Sequence, residues 1–109
     1  MQIRELDLKE LYTVYELLSQ LYKELSYEEF EDLIYDMRSM QYKMLGIFER
    51  GELVSYAGVV VQTTLKNKRH LKVFDFISSD KYDINLYDKL MREYLEDYSR
   101  IAMCKSVIF

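Results

Sequence analysis

Four aspartates gather between Val73 and Asp88, in the stretch VFDFISSDKYDINLYD: Asp75, Asp80, Asp83 and Asp88. Val73–Ser78 has the apolar, β-branched and aromatic composition of a strand. Ser79–Asp83 is a short polar connection, and a helix opens near Asp83. A strand running into a helix start is a common place to hold phosphate, because unpaired amides and the positive end of the helix dipole face the ligand. Such sites use glycines so that the backbone can come close. Here no glycine is present, and Asp80, Asp83 and Asp88 stand there instead. Asp75 is the candidate for acid–base chemistry, as a carboxylate on a strand next to this turn. The competing reading is a strand aspartate satisfied by neighbouring groups, and it is favoured because no donor partner is evident in the sequence.

Other reactive types are sparse. His70 is the only histidine and has no serine or cysteine partner nearby, so it is expected to be a polar residue at a strand start. Cys104 is the only cysteine, which excludes an internal disulfide and suits a reducing cytoplasm. It is expected to be a small buried hydrophobe. No His/Cys/Asp spacing indicates a metal site. Lys66, Lys68, Arg69, His70 and Lys72 form the one basic cluster, able in principle to meet a phosphate or an acidic partner. A solvated hairpin tip is the favoured reading of it. The net charge of −4 argues against bulk attraction to nucleic acid.

The elements that must position these residues follow from periodicity. A chain of 109 residues, half of them apolar, is expected to form a single domain over 1–109. No apolar run approaches the ~20 residues needed to span a bilayer, and the start, MQIRELDLKE, has no signal-peptide pattern. Gln2–Leu6 suggests a short strand. Asp7 with Glu10 is a capping box, and Leu8, Leu11, Tyr15, Leu18, Leu21, Tyr22 and Leu25 make one helical stripe. Ser26 and Glu29 start a second helix near Tyr27, with Phe30, Leu33, Ile34 and Met37 inward and an acidic outer face. Met44–Phe48, Leu53–Thr64 and His70–Ser78 are strands joined by the turns at Glu49–Glu52 and Leu65–Arg69. Gly58 indicates a bulge or a close approach. Ile84, Tyr87, Leu90, Met91, Tyr94, Leu95 and Tyr98 mark a third helix, whose tyrosines suit either a core or a partner face. Cys104–Phe109 is a last strand, parallel to the one before the helix.

The expected order is β-α-α-β-β-β-α-β, an α+β arrangement. This order, with IRELDLKELYTVYELLSQLYKELSYEEFEDLI, MLGIFERGELVSYAGVVVQTTL, RHLKVFDFISSDKY and MCKSVIF in succession, resembles the GNAT acetyltransferase superfamily, and one bacterial branch of it in particular. The resemblance covers almost the whole chain. It implies a mixed sheet and an acetyl-CoA site whose signature, Arg-x-x-Gly-x-Gly or Ala, follows the fourth strand. Carried over, the arginine falls at Asp83 and the glycines at Leu86 and Asp88. A cation is replaced by an anion, and both positions of close approach gain side chains. Two like charges ~4 Å apart at an effective dielectric near ~20 repel by roughly 4 kcal/mol.

The resemblance also implies a further helix and strands after the fifth strand, with a tyrosine that protonates the thiolate of CoA. The sequence ends at Phe109, so the expectation is a fold truncated after the fifth strand. The implied function is therefore a GNAT-like domain without catalysis and with no cofactor, working through protein contacts as a homodimer or with another protein. The alternative is a minimal N-acetyltransferase that binds acetyl-CoA through the amides of Phe76, Ile77 and Ser78 and uses Asp75 as base.

Overall fold

A computed structural model describes all residues from Met1 to Phe109. Five strands, β1 (Gln2–Leu6), β2 (Lys43–Glu49), β3 (Glu52–Thr64), β4 (Lys68–Ser78) and β5 (Val107–Ile108), form one sheet in sequence order. Every pairing is antiparallel except β4 with β5, which is parallel. Helices α1 (Leu11–Leu18) and α2 (Tyr27–Met37) cover one face, and α3 (Ile84–Ile101) covers the other. β2 and β3 are buried on both faces, which is why they read as continuous apolar runs. The α1/α2 side packs Leu11, Val14, Leu18, Phe30 and Ile34 on Met44, Tyr56 and Val60. The α3 side packs Tyr87, Met91 and Leu95 on Leu45, Ile47, Ala57, Val59 and Leu71.

The helix starts are set locally, as expected. Lys9 N donates to Asp7 Oδ1 at 2.9 Å and Asp7 N to Glu10 Oε1 at 3.1 Å, completing the capping box. Ser26 Oγ accepts from Glu29 N at 3.1 Å and Asp83 Oδ1 from Leu86 N at 3.1 Å. The β2–β3 turn has Arg50 at φ 51° and Gly51 at φ 80°, the two left-handed residues that a two-residue hairpin turn of the right twist requires.

Four expectations are corrected. The first helical stripe does not run to Leu25. A 3-10 turn covers Leu8–Glu10, α1 ends at Leu18, and residues 19–26 turn away as a loop. Leu21 and Tyr22 are exposed there instead of buried. Leu33 lies on the outer side of α2 and is exposed, because α2 rests on the sheet through Phe30 and Ile34, flanked by Tyr27 and Met37. His70 is buried, with Nδ1 2.9 Å from the carbonyl of Lys68. The last strand is two residues long, and Cys104 precedes it, half-buried against the α3-side core. The α3 tyrosines belong to that core too: Tyr87 is buried, and Tyr94 and Tyr98 pack against it.

Candidate functional site

The β3–β4 pairing carries a bulge. Gly58 pairs with Asp75 but Val59 pairs with Val73, so Phe74 is one residue extra on β4. The bulge shifts the alternation of β4 and aims Asp75 at the α1/α2 face. Three phenols meet there. Tyr22, from the loop after α1, donates to Asp75 Oδ1 at 2.5 Å. Tyr42, which precedes β2, donates to Asp75 Oδ2 at 2.7 Å. The Tyr42 and Tyr56 hydroxyls lie 2.9 Å apart. An ionised carboxylate only accepts, so the Tyr42 proton points at Asp75 and Tyr56 must donate to Tyr42. Gly58 makes this possible, since the Tyr42 ring lies directly over it.

Burial holds the Tyr42 and Tyr56 phenols protonated far above the ordinary tyrosine range, and the Asp75 charge adds to this. Tyr22 is pushed up to about 12, first by its hydrogen bond to Asp75 and then by partial burial. All three are therefore donors at neutral pH. Each Asp75 oxygen accepts one phenol, which leaves room on its exposed side for a further donor.

The turn between β4 and α3 lies further along the chain from Asp75 and meets the same loop, at Gln20. Its amides are largely taken by the protein itself. Asp80 N donates to Gln20 Oε1 at 3.3 Å, Lys81 N to Ser79 Oγ at 3.3 Å and Tyr82 N to the Ser79 carbonyl at 3.4 Å. Leu86 N is held by the Asp83 side chain, and Tyr87 N by the Asp83 carbonyl at 3.1 Å. No residue of this turn has a positive φ, so its amides do not fold into an anion-binding concavity of alternating hand. Asp88 faces inward: Ser78 Oγ donates to its Oδ1 at 2.7 Å, and Ser55 Oγ is 2.9 Å from Ser78 Oγ. The expectation of three carboxylates crowding one mouth is thus refined. Asp83 caps the helix, Asp88 ties it to the sheet, and Asp80 is exposed.

β5 pairs with β4 only at Leu71 and Lys72, so the strands part above that point. Ser79 N donates to the carbonyl of Val54 on β3. Amides alternate sides along a strand, so those of Phe76 and Ser78 face the free edge and that of Ile77 faces β3. Of the three amides named from sequence, Ile77 is therefore corrected out. The Phe76 ring meets the Phe109 ring edge-on at 5.4 Å, with the Arg92 guanidinium 5.0 Å and 4.3 Å from the two centroids. Side chains thereby fill the α3 side of the parting strands.

The basic residues do not form one patch. Lys66 and Lys68 are exposed, Arg69 Nε donates to the Ala102 carbonyl at 2.9 Å, Lys72 is half-buried and His70 is buried. No group of three or more His, Cys, Asp or Glu side chains could hold a metal ion. No helix is long and apolar enough to cross a membrane.

Solved structures share this architecture over nearly the whole chain. It is similar to glucosamine-6-phosphate N-acetyltransferase from Arabidopsis thaliana, at 23% identity and a TM-score of 0.75, covering 98% of this chain and 79% of that one. The ribosomal-protein-alanine N-acetyltransferase from Brucella melitensis biovar Abortus 2308 matches at 18% identity and a TM-score of 0.81, covering 98% and 77%. A GNAT family acetyltransferase from Staphylococcus aureus matches at 15% identity and a TM-score of 0.75, covering 98% and 83%. The chain has the GNAT fold. No protein-family model and no curated protein matches the sequence. At these identities the likeness carries the GNAT architecture and not an activity.

Sequence reading found Asp75 and the close approach at Gly58, but missed its partners. Tyr22 read as part of a buried stripe, and Tyr42 and Tyr56 carried no signal. Arg92 was missed as well, as one of three cations on α3.

Proposed function

We propose that this GNAT-fold domain does not bind acetyl-CoA and acts through protein contacts, as a homodimer or with a separate protein partner. The observation that carries the reading is the Asp83 carboxylate on the Leu86 amide, at the helix start where a diphosphate would need that amide. Three neighbouring amides, of Asp80, Lys81 and Tyr82, are also engaged by the protein. The Phe76–Phe109–Arg92 stack supports the same reading, because it covers the α3 side of the strands that part. At Asp75 the Tyr22 and Tyr42 phenols each take one oxygen, so an incoming amine would compete with them for the carboxylate.

Contact with protein is the use that the remaining surface favours. Tyr82, Ile84 and Leu86 are 40%, 41% and 46% exposed around the helix start. The β4 edge beyond Lys72 has no partner strand, and such edges invite pairing. A single free cysteine is consistent with work in a reducing cytoplasm. Isothermal titration of acetyl-CoA tests the reading: no saturable heat is expected, and a defined binding isotherm would refute it. Sedimentation of the same sample tests the dimer, with a monomer at all concentrations leaving only the separate partner.

A second reading rests on one observation. Asp75 is half-exposed at the bulge, and the outward amides of Phe76 and Ser78 lie just after it. A minimal acyltransferase would hold the acyl-CoA on those amides and use Asp75 as base. Acyl transfer to an amine panel that disappears in Asp75→Ala would favour it over the first.

A further inference from the structure

We propose that residues 20–24 form a strap over Asp75, latched by Tyr22, that opens as a unit while the rest of the domain stays folded. The strap begins where α1 stops. Leu21 N and Tyr22 N both bond the Leu18 carbonyl, at 2.9 and 3.0 Å, a tight turn that throws Tyr22 across the sheet toward β4. Its far end is held on α1 by Tyr15 Oη, which donates to the Leu25 carbonyl at 2.7 Å. Between these two fixed points the segment has little apolar anchorage. Leu21 is 48% exposed, Tyr22 42%, and Lys23 and Glu24 are exposed as well.

Two attachments join the strap to the β4 end of the sheet. Gln20 reaches the Ser78 carbonyl at 3.4 Å and the Asp80 amide at 3.3 Å, both long bonds between neutral groups. The Tyr22–Asp75 bond is short, at 2.5 Å, and has a charged acceptor, so it is the stronger of the two. Opening is tolerable to the carboxylate. Asp75 keeps its bond from Tyr42 at 2.7 Å, and its half-exposed side leaves Oδ1 free to take water. No buried charge is orphaned, whereas losing Tyr42 would strip Tyr56 of its only partner in a fully buried site. The cluster therefore has a fixed half, Tyr42 and Tyr56, and a movable half, Tyr22. The open form presents Asp75 to solvent, and the closed form covers it.

Lys23 follows the latch directly, so tryptic cleavage after it in the intact chain reads the opening. Tyr22→Phe is expected to be cut there about tenfold faster than the wild type, the factor for losing one hydrogen bond to a charged acceptor. Asp75→Asn should also speed the cut, and the double variant should be no faster than Tyr22→Phe alone, because both remove one bond. Tyr82→Phe, which removes the other exposed phenol–carboxylate pair, with Glu52, should cut at the wild-type rate. Amide exchange of residues 20–24 should quicken in Tyr22→Phe while Val59 and Val60 on β3 keep their protection. A wild-type cleavage rate in Tyr22→Phe, multiplicative effects in the double variant, or loss of protection in β3 alongside the strap would each overturn the proposal.

Discussion

Gly58 and Tyr42 share one volume: a methyl group on Gly58 would lie 1.6 Å from the Tyr42 hydroxyl oxygen. Gly58 does not have a left-handed φ, so its lack of a side chain serves space and not backbone freedom. Gly58→Ala must push the phenol off both Tyr56 and Asp75. The expected loss is on the order of 3 kcal/mol, from overpacking and from a buried hydroxyl without a partner. Tyr42→Phe does not rescue it, because the ring carbon Cζ would still sit at 2.2 Å. Tyr42→Leu combined with Gly58→Ala should be less destabilised than the sum of its parts. Urea unfolding of the wild type, the three single variants and the two double variants checks both statements.

The phenol cluster predicts how the fold fails in base. A raised pKa in the folded state means that the folded chain binds more protons than the unfolded one at alkaline pH. The stability from Tyr22 is then complete below about pH 10, the unfolded tyrosine value. It is lost as pH rises toward about 12, its folded value. Tyr42 and Tyr56 are raised further, so they extend the loss to still higher pH. Phenolate absorbance should therefore rise in two stages: exposed tyrosines first, then buried ones together with loss of the fold. In Tyr22→Phe the alkaline midpoint should move upward relative to its own neutral stability. A smooth single titration with the fold intact would contradict this.

Local chemistry made most of the fold legible in the sequence, and distance hid the rest. The caps at Asp7, Ser26 and Asp83 and the Arg50–Gly51 turn depend on residues within three positions, so they were readable. Gly58 was readable as a close approach, but not what approaches it. Asp75 finds its donors 53 and 33 positions away, at Tyr22 and Tyr42, and no periodicity encodes such a pairing. The stripe through Leu21, Tyr22 and Leu25 continues the helical pattern after the helix has ended. There a tertiary hydrogen bond overrides local propensity. His70 stands near the start of β4, as expected, but its burial was not readable: its ring is satisfied by the Lys68 carbonyl two residues back.

The join between α3 and the sheet should depend on Ser78 more than on Asp88. Ser78 Oγ bridges Asp88 Oδ1 and Ser55 Oγ, at 2.7 and 2.9 Å. Ser78→Ala leaves the fully buried Ser55 hydroxyl with only a 3.5 Å contact to the Ile77 carbonyl. A cost of about 1–3 kcal/mol is expected. Asp88→Ala removes one bond at a half-exposed site and leaves the serine pair intact, so it should cost about 1 kcal/mol or less. Thermal unfolding of the two variants orders them.

Charge and geometry make separate predictions at Asp83, and two substitutions part them. Asparagine caps a helix about as well as aspartate, so Asp83→Asn removes the charge while the Leu86 amide stays occupied. Its stability should change by only a few tenths of a kcal/mol, within the ~0.3–1 kcal/mol of a charge at a helix start. Asp83→Ala removes the cap and should cost about 1 kcal/mol. If charge alone excludes a diphosphate, Asp83→Asn should gain measurable heat with acetyl-CoA. If the occupied amides exclude it, Asp83→Asn stays silent. The latter is expected, because Asp80, Lys81 and Tyr82 keep their own amides engaged whatever stands at position 83. Titration of acetyl-CoA into both variants, at matched ionic strength, decides between the two causes.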